Sequence, residues 1–229
     1  MKFIKKYYDV DYIKYNSTWH SEDSYFKFIK IKNLINKNNL KFKTFCEVGC
    51  GAGKILYYLS KQYKNKKFFG YEISKKAFSM CNKRQNNIKY YNSNLKKNKK
   101  YNVILCADVI EHVENPFHFL NEIKKNSKFQ ILHVPLDLSV NSVMRKSVIL
   151  KARKKVGHLH FYNKEIILYD LKKLNFEIID YFYTFNNSIY IKGSISQKIL
   201  ARLREFVYFI NKDFAVNYLG GFSLMILTR

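Results

Sequence analysis

The sequence predicts an α/β fold in which helices cover both faces of a doubly wound, mainly parallel sheet. Short apolar runs alternate with segments of helical periodicity, which is typical of βαβ units. A turn with three glycines separates the first apolar run from the helix that follows it. The run at residues 101–107 (YNVILCA) is the kind of apolar strand that lies buried in a parallel sheet.

Each further element carries a local signal. Capping residues mark the helix starts: Ser21, followed by the acidic Glu22 and Asp23, then Ser74 and the pair Asn115–Pro116. The predicted strands cover residues 43–48, 67–72, 88–91, 101–107, 129–134, 176–185 and 222–228. The predicted helices cover residues 21–37, 54–63, a short stretch after residue 74, and residues 115–125, 163–174 and 194–211.

The helix predicted at residues 194–211 is amphipathic. Its apolar residues recur at helical spacing, at Ile195, Ile199, Leu203, Phe206 and Ile210. A stripe of this kind packs against a protein interior, or it binds a partner or a membrane surface. The sequence leaves these alternatives open.

The composition describes a globular chain with a strong positive charge. The 229 residues are 47% hydrophobic, and 42 Lys and Arg against 17 Asp and Glu give a net charge of +25. Such a charge alone would suggest a nucleic-acid or anionic partner. However, the abundant Lys, Asn, Ile, Phe and Tyr all have codons made only of A and T, and the cations are spread along the chain. We therefore expect a small-molecule acceptor in preference to a nucleic-acid partner.

The cysteines and the apolar segments indicate the compartment. The four cysteines form no C-x-x-C pair, which fits buried thiols in a reducing cytosol. The N-terminus has no apolar signal core, and no run approaches the roughly 18 apolar residues that a membrane helix needs. We expect a cytoplasmic protein without a transmembrane segment. Contact with a membrane surface is compatible with these features.

The strongest motif is EVGCGAG at residues 47–53, where a strand runs into three alternate glycines and then a helix. Side chains larger than hydrogen would block a ligand lying across this turn. The second strand ends in Gly70-Tyr71-Glu72, and a carboxylate at that position suits the hydroxyls of a ribose.

Together with YNVILCADVIEHVENP at residues 101–116, these segments resemble class I S-adenosylmethionine-dependent methyltransferases, in particular those that methylate oxygen on small molecules. The resemblance covers about residues 40–185 and the last strand. It implies a Rossmann-like, seven-stranded mixed sheet, mostly parallel with a reversed last strand. It also implies a single domain over residues 1–229, with an N-terminal helical lid at residues 1–40 and a helical insertion at residues 194–218.

The resemblance implies S-adenosyl-L-methionine as the cofactor and assigns residues to it. The glycine loop and Asp108 would contact its methionine part, and Glu72 would hold its ribose. Asn94 stands where similar enzymes often have an aspartate near the adenine amino group. Aromatic residues ahead of the sheet, Tyr12, Tyr15 and Trp19, would fold over the cofactor or pack the N-terminal helix. The cofactor-binding residues predicted in this way are Glu47, Gly49, Cys50, Gly51, Gly53, Glu72, Asn94 and Asp108.

A hydroxyl acceptor often needs a base. Histidines at the carboxyl ends of the predicted strands lie on the ligand side of such a sheet. We expect His112, His133 and His158 to be the catalytic candidates.

The segment Asp108-Val109-Ile110-Glu111-His112 places three polar side chains at i, i+3 and i+4. Similar D/E-x-x-E-H segments bind a divalent cation in some of the methyltransferases that this chain resembles. The resemblance therefore implies a cation site that His133, His158 or His160 would complete, with His158 and His160 as a pair if they lie on a strand. Packing of the Glu-His pair is the other interpretation.

We expect methyl transfer to an oxygen of a small anionic metabolite, such as a sugar or surface-glycan precursor. The basic stretch at residues 145–155 lies near the predicted acceptor side and suits phosphate or carboxylate groups. An RNA or protein methyltransferase is the first alternative, although the Asn/Asp-Pro-Pro-aromatic motif of many nucleic-acid methylases is missing. A non-catalytic cofactor-binding scaffold is the second, and the intact glycine loop and Glu72 argue against it.

Overall fold

The computed structural model describes residues 16, 18–19, 21–81, 85–96, 98–185 and 194–229. In this part of the chain, seven strands form a single sheet. The strands are β1 (Thr44–Val48), β2 (Lys67–Tyr71), β3 (Ile88–Tyr91), β4 (Tyr101–Ala107), β5 (Ser127–Pro135), β6 (Ile178–Phe185) and β7 (Phe222–Thr228). All seven predicted strands are present, and their ends differ from the prediction by no more than two residues.

Helices and shorter helical turns connect these strands. The α-helices are α1 (Ser24–Lys37), α2 (Lys54–Gln62), α3 (Lys75–Ser79), α4 (Pro116–Asn126), α5 (Val140–Met144), α6 (Ser147–Lys151), α7 (Lys164–Lys173), α8 (Ile195–Ile210) and α9 (Lys212–Phe214). Turns of 3-10 helix lie at Ser21–Asp23 and Ile110–His112, and turns of π-helix at Ala152–Val156 and Ala215–Leu219.

Side-chain caps start several of these helices where the sequence predicts them. The Ser74 side chain accepts a hydrogen bond from the backbone N–H of Ala77, and Asn115 accepts one from His118 ahead of α4. Ser194 begins α8 in a capping box with Gln197. Each cap satisfies an N–H group that the first helical turn leaves unpaired, so local chemistry fixes where these helices begin.

The strand order in the sheet is β3-β2-β1-β4-β5-β7-β6. The neighbours from β3 to β5 pair in parallel, and β7 pairs antiparallel with both β5 and β6. The mixed sheet with a reversed last strand is therefore confirmed. Since β6 runs in the same direction as β1 to β5, the carboxyl ends of these six strands share one edge with the start of β7.

The core lies on both faces of the sheet. One layer buries β4 and β5 side chains such as Ile104 and Leu132 beneath α4 and α7, and the other packs α1 and α2 against β1. Ile31 and Leu34 of α1 are fully buried. Within the predicted lid at residues 1–40, α1 is thus part of the core, while residues 1–15 and His20 lie outside the described residues.

The inserted helices between β6 and β7 are held to the rest of the domain by polar contacts. The Asp213 carboxylate accepts hydrogen bonds from Lys164 Nζ at 2.6 Å and from Tyr183 Oη at 2.5 Å. Within the insertion itself, the Arg204 guanidinium donates to the carbonyl of Leu219. Among the described residues, no helix combines the length and apolar character that crossing a membrane requires.

Candidate active site

A cavity of about 930 Å³ opens at the edge where β1, β2 and β4 end. The loop after β1, the end of β2, the segment after β3 and the turn after β4 form its walls, and Trp19 and α1 close another side. In an open parallel sheet, ligands bind at this edge, outside the carboxyl ends of the strands. The position of the cavity agrees with that rule.

The glycine loop lies against this cavity. Gly49 (φ +70°) and Gly51 (φ +53°) adopt left-handed backbone conformations, which favour glycine. A Cβ at Gly49 would come within 2.7 Å of a Val109 methyl group. A Cβ at Gly51 would meet nothing closer than the Trp19 carbonyl at 4.0 Å, so the backbone is open to the cavity there.

The structure separates Gly53 from the other predicted loop contacts. Gly49, Cys50 and Gly51 line the cavity, whereas Gly53 is not among its lining residues. A Cβ at Gly53 would lie 2.7 Å from the ring of Tyr90, and the Gly53 carbonyl accepts a hydrogen bond from Tyr90 Oη. This glycine allows strand β3 and the start of α2 to approach each other, and its contact with a ligand stays a prediction.

Glu72 is buried at the end of β2 and lines the cavity. Its Oε2 accepts the Gly51 N–H at 2.9 Å, and its Oε1 accepts the Ser74 N–H at 2.8 Å. The carboxylate therefore fixes the glycine loop relative to β2. Since a carboxylate can accept about four hydrogen bonds, these two contacts are compatible with binding ribose hydroxyls as well.

Glu47 and Asn94 lie at other parts of the wall. Glu47 is only 2% exposed, and within the described residues its Oε2 has no hydrogen-bond partner. Burial raises the pKa of the Glu47 carboxyl well above its usual range, and Lys27 partly offsets this. A buried carboxylate oxygen without a partner is costly unless a ligand donates to it. Asn94, after β3, is exposed and lines the cavity, and its contact with adenine stays a prediction.

Asp108, at the end of β4, bridges two basic side chains. Its Oδ2 lies 2.5 Å from Lys27 Nζ, and its Oδ1 lies 2.5 Å from His133 Nδ1. Burial acts to raise the pKa of the Asp108 carboxyl, but Lys27 and His133 hold it well below its usual range. Asp108 also has a φ of +54°, an uncommon conformation for a residue other than glycine.

The surroundings of His133 differ from those expected of a catalytic base. His133 is buried, is not among the cavity-lining residues, and has its second ring nitrogen 2.8 Å from Thr184 Oγ1. With both nitrogens engaged by Asp108 and Thr184, the imidazole positions Asp108.

Lys27 was missed in the sequence, although a signal for it exists. The buried residues of α1 include Ser24, Phe28, Ile31 and Leu34, and position 27 falls on the same helical face. A lysine on an apolar helical face needs a buried partner. In a chain with 42 basic residues, that single position did not stand out.

A second cluster joins Glu111, His112 and His158, whose ligand atoms all lie within 4.8 Å of one another. Glu111 is fully buried, and among the described residues neither of its carboxylate oxygens has a hydrogen-bond partner. Burial raises the pKa of the Glu111 carboxyl well above its usual range. His112 Nε2 lies 3.7 Å from Glu111 Oε1, and His112 also lines the cavity.

Hydrogen bonds at Nδ1 orient the imidazole rings of both histidines in this cluster. His112 Nδ1 lies 3.1 Å from the Gly157 carbonyl oxygen, and His158 Nδ1 lies 2.5 Å from Asp137 Oδ2. An Nδ1–H that donates to a carbonyl or carboxylate leaves the lone pair on Nε2, which is the arrangement of metal-ligating histidines. The donor set of one carboxylate and two imidazoles therefore fits a divalent cation.

This cluster differs from the cation site expected in the sequence. Glu111, His112 and His158 come together, but Asp108 turns to Lys27 and His133 instead. His160 Nε2 donates to the Val113 carbonyl at 2.9 Å. Residues 157–163 form no strand, because their backbone crosses over the Glu111 carbonyl, which accepts the N–H groups of residues 159 and 160. The strand on which a His158–His160 pair would depend is therefore not formed by these residues.

The basic stretch at residues 145–155 does not line the cavity. Its cationic residues are exposed, and the carbonyl of Lys155 accepts a hydrogen bond from the Asn16 side chain at 3.0 Å. The stretch leads directly into the loop that carries His158. Trp19 lines the cavity as expected, whereas Tyr12 and Tyr15 lie outside the described residues.

Comparison with known proteins identifies the family. Residues 20–181 match the family described as a methyltransferase domain. The chain belongs to this family. The resemblance to class I S-adenosylmethionine-dependent methyltransferases, inferred from the glycine loop, Glu72 and the segment after β4, is thereby confirmed.

Ubiquinone biosynthesis O-methyltransferases are among the curated relatives of this methyltransferase domain. The protein from Rickettsia bellii (strain OSU 85-389) is 30% identical over 131 residues, which are 50% of this chain and 55% of the relative. The protein from Rickettsia canadensis (strain McKiel) is 28% identical over 153 residues, or 60% of this chain and 64% of the relative. The matches therefore span little more than half the length of these relatives.

Solved structures share the fold over nearly the whole chain. The magnesium protoporphyrin IX methyltransferase from Synechocystis PCC 6803 with bound SAH has a TM-score of 0.63 at 14% identity, covering 99% of this chain and 98% of that one. The plantazolicin methyltransferase BpumL, in complex with a monoazolic desmethylPZN analog and SAH, has a TM-score of 0.61 at 18% identity, covering 99% and 93%. At these identities the likeness is one of fold.

The Lys27–Asp108 contact makes the free energy of unfolding of the methyltransferase domain depend on pH in the acidic range. Because the folded-state pKa of Asp108 is depressed, its contribution to stability is present above the unfolded pKa of about 3.9 and is lost as the pH falls through the folded value. Lys27→Met removes the ammonium and raises that folded pKa. Denaturant unfolding between about pH 2 and pH 7 should therefore show the variant less stable than the wild type near pH 7 and losing less stability on acidification, because the difference between the folded and unfolded pKa values is smaller.

Lys32→Met, on another face of α1, is the matched control and should leave the profile in place. Coincident pH profiles for the wild type and Lys27→Met would show that the ammonium does not control Asp108.

Proposed function

We propose that this chain is an S-adenosylmethionine-dependent methyltransferase. The observation that carries the proposal is the unpartnered carboxylate oxygen of Glu47, which lies in the wall of the cavity beside the glycine loop. An ammonium or sulfonium group is the kind of ligand that a buried carboxylate favours. The family of the chain and the SAH-bound structures with the same fold support the choice of cofactor.

Acidic and basic side chains lie side by side in the cavity wall, which suits the ammonium and carboxylate groups of the methionine part of this cofactor. Glu47 and Asp108 are carboxylates suited to its ammonium, and Lys27 stands beside them for its carboxylate. At the other end of the cavity, Glu72 would take the ribose hydroxyls and Asn94 the adenine. When bound, S-adenosylmethionine supplies a methyl group on sulfur for in-line transfer to a nucleophile.

The residues of the chain contribute mainly by alignment, which is worth roughly 7–11 kcal/mol in well-oriented reactions. The Glu72 hydrogen bonds hold the loop in place before a ligand arrives. His112 is the cavity-lining histidine of the predicted set. The Gly157 carbonyl binds its Nδ1–H, so its Nε2 carries the lone pair that can take an acceptor proton or ligate a cation.

Calorimetry with S-adenosylmethionine or SAH tests the cofactor assignment. Glu72→Ala should weaken binding by roughly 1.5–3 kcal/mol, or about ten- to a hundredfold, because a charged acceptor is lost and the loop loses its anchor. Glu177→Ala is the matched control, since this exposed carboxylate pairs with Arg229 at the opposite edge of the sheet. Unchanged affinity in Glu72→Ala would refute the ribose assignment, and a wild-type chain that binds neither compound would refute the proposed function.

We further infer that Glu111, His112 and His158 hold a divalent cation beside the cavity. The support is the pair of unpartnered oxygens on Glu111, together with the carbonyl and carboxylate that orient the two imidazoles. A cation there would orient an acceptor oxygen and lower its pKa. This role favours an oxygen acceptor, as in the curated ubiquinone biosynthesis O-methyltransferases.

Direct titration with Mg²⁺ or Zn²⁺ tests this site without any turnover. His158→Ala and Asp137→Ala should each weaken cation affinity by at least about tenfold, the first by removing a ligand and the second by releasing that ligand from its orientation. His160→Ala should not, because His160 is bound to the Val113 carbonyl. Methyl transfer should fall with a chelator and return with the cation. If the wild type binds neither cation and chelation leaves the rate unchanged, the cluster only packs.

For the acceptor, we propose a small anionic molecule such as a sugar or surface-glycan precursor. The support is the exposed basic stretch that leads into the His158 loop. Methyl-labelled cofactor and fractionated cell extract should give a labelled product that binds an anion exchanger. The KM for that acceptor should rise at least about tenfold when four cations are neutralised together, since each charged hydrogen bond contributes about 1.5–3 kcal/mol. These are Arg145, Lys146, Arg153 and Lys154.

A control variant neutralises four exposed lysines on α3 and α7, namely Lys75, Lys76, Lys172 and Lys173. An equal KM in both variants would refute an anionic acceptor bound by this stretch. An RNA acceptor would instead lose orders of magnitude in affinity between about 50 and 200 mM salt, whereas a small anion would lose much less.

A further inference from the structure

The helix α8 exposes an apolar face that the methyltransferase fold does not use. Phe209 is 89% exposed, Ile195 79%, Ile210 69%, and Ile199 and Phe206 64% each. With Leu203, these residues lie on one side of the helix at spacings of three or four residues. Monomeric proteins rarely expose a continuous apolar surface of this size unless it is a binding site. We define the α8 face as Ile195, Ile199, Leu203, Phe206, Phe209 and Ile210.

The opposite side of α8 packs against the domain, and these contacts keep the α8 face turned outward. Tyr208 stacks on Phe222 with ring centroids 5.4 Å apart and meets the ring of Phe185 at 4.8 Å. Ala201 is buried, and Arg204 holds the Leu219 carbonyl. The inner side of α8 is thus already packed, and rotating the helix to bury the α8 face would break these contacts.

A second exposed apolar surface lies beside the inserted helices. Met144 of α5 is 77% exposed and Val143 is 56% exposed. The α5 helix contacts the π-helical turn that follows α9, where the Asn141 side chain donates to the same Leu219 carbonyl that Arg204 holds. Two apolar surfaces are therefore carried by one connected group of helices.

Cations lie beside both surfaces. Lys198 and Arg202 line a shallow groove with Ile195 and Ile199 of the α8 face. Arg145, at the end of α5, lies near enough to Arg204 for its charge to lower the pKa of that guanidinium, in addition to the effect of burial. The only acidic residue within α8 is Glu205. A surface that is apolar at its centre and cationic at its edge is complementary to a bilayer with anionic headgroups.

We propose that the α8 face, together with the exposed side of α5, docks on the surface of an anionic lipid bilayer. The aromatic and aliphatic side chains would enter the boundary between headgroups and acyl chains, and the flanking cations would contact the headgroups. A second copy of the chain is a poorer occupant, because it would bring the same cations against each other. The insertion joins the end of β6 to the start of β7, so the docked surface lies at the sheet edge that carries the cavity.

Vesicle flotation with the full chain tests this proposal and needs no turnover. The wild type should float with phosphatidylcholine vesicles that contain phosphatidylglycerol, and at least about tenfold less with phosphatidylcholine alone. Phe206→Ser combined with Phe209→Ser should reduce binding by at least about tenfold, because each buried aromatic side chain contributes that much or more. Lys198→Gln with Arg202→Gln should reduce binding mainly at low salt.

The matched control is Tyr169→Ser, which removes a 60% exposed aromatic side chain from α7 and should bind vesicles like the wild type. Unchanged cofactor affinity in the variants would show that the domain remains folded. If the wild type did not bind the cofactor, the proposed function would be refuted, whereas the vesicle test of the α8 face would be unaffected. The proposal is overturned if the wild type does not float with the anionic vesicles, or if the aromatic variant floats as well as the wild type. A dimer that Phe206→Ser and Phe209→Ser dissociate, without vesicle binding by the wild type, would assign the face to a second copy.

Discussion

The carboxylate of Glu72 determines how the cavity wall is built, because it joins the glycine loop to the segment that follows β2. It accepts one N–H from the glycine loop after β1 and one from Ser74 at the start of α3. Both contacts are charge-assisted hydrogen bonds inside a mostly buried site, where they are stronger than at a surface. The loop is therefore held open by an acid at the end of the next strand. Loop and acid form one unit, although 21 residues separate Gly51 from Glu72.

Three further acids at the same edge differ in what neutralises them. Asp108 has Lys27 and His133, whereas Glu47 and Glu111 have buried oxygens without hydrogen-bond partners among the described residues. Burial raises the pKa of both unpartnered carboxyls, which is how a protein responds to a charge that it cannot solvate. A cationic ligand at either position would remove that cost. Binding of such a ligand to the folded state would therefore raise the free energy of unfolding. These two acids are the positions at which we propose that the cofactor and a divalent cation bind.

The sequence predicts what is local and misses what depends on distant contacts. The strands, the caps at Ser74 and Asn115, and the glycine loop follow from neighbouring residues, and all are found. The hydrogen-bond partners of the functional side chains do not follow from neighbouring residues, because these partners lie on elements far apart in the chain. Lys27 reaches Asp108 across 81 residues. His133 was predicted from its place at a strand end, but its two ring nitrogens are occupied by Asp108 and by Thr184 of β6.

Periodicity also cannot say what an apolar helical face packs against, and α2 and α8 illustrate this. Both have an apolar stripe, yet Leu56 and Leu59 of α2 are fully buried while the α8 face is exposed. The difference comes from topology. The helix α2 crosses between the parallel strands β1 and β2, and such a crossover must lie on the face of the sheet. The strands β6 and β7 are antiparallel neighbours, which a short turn could join. The helices inserted there are not needed to close the sheet, so the apolar side chains of the α8 face are not explained by the core.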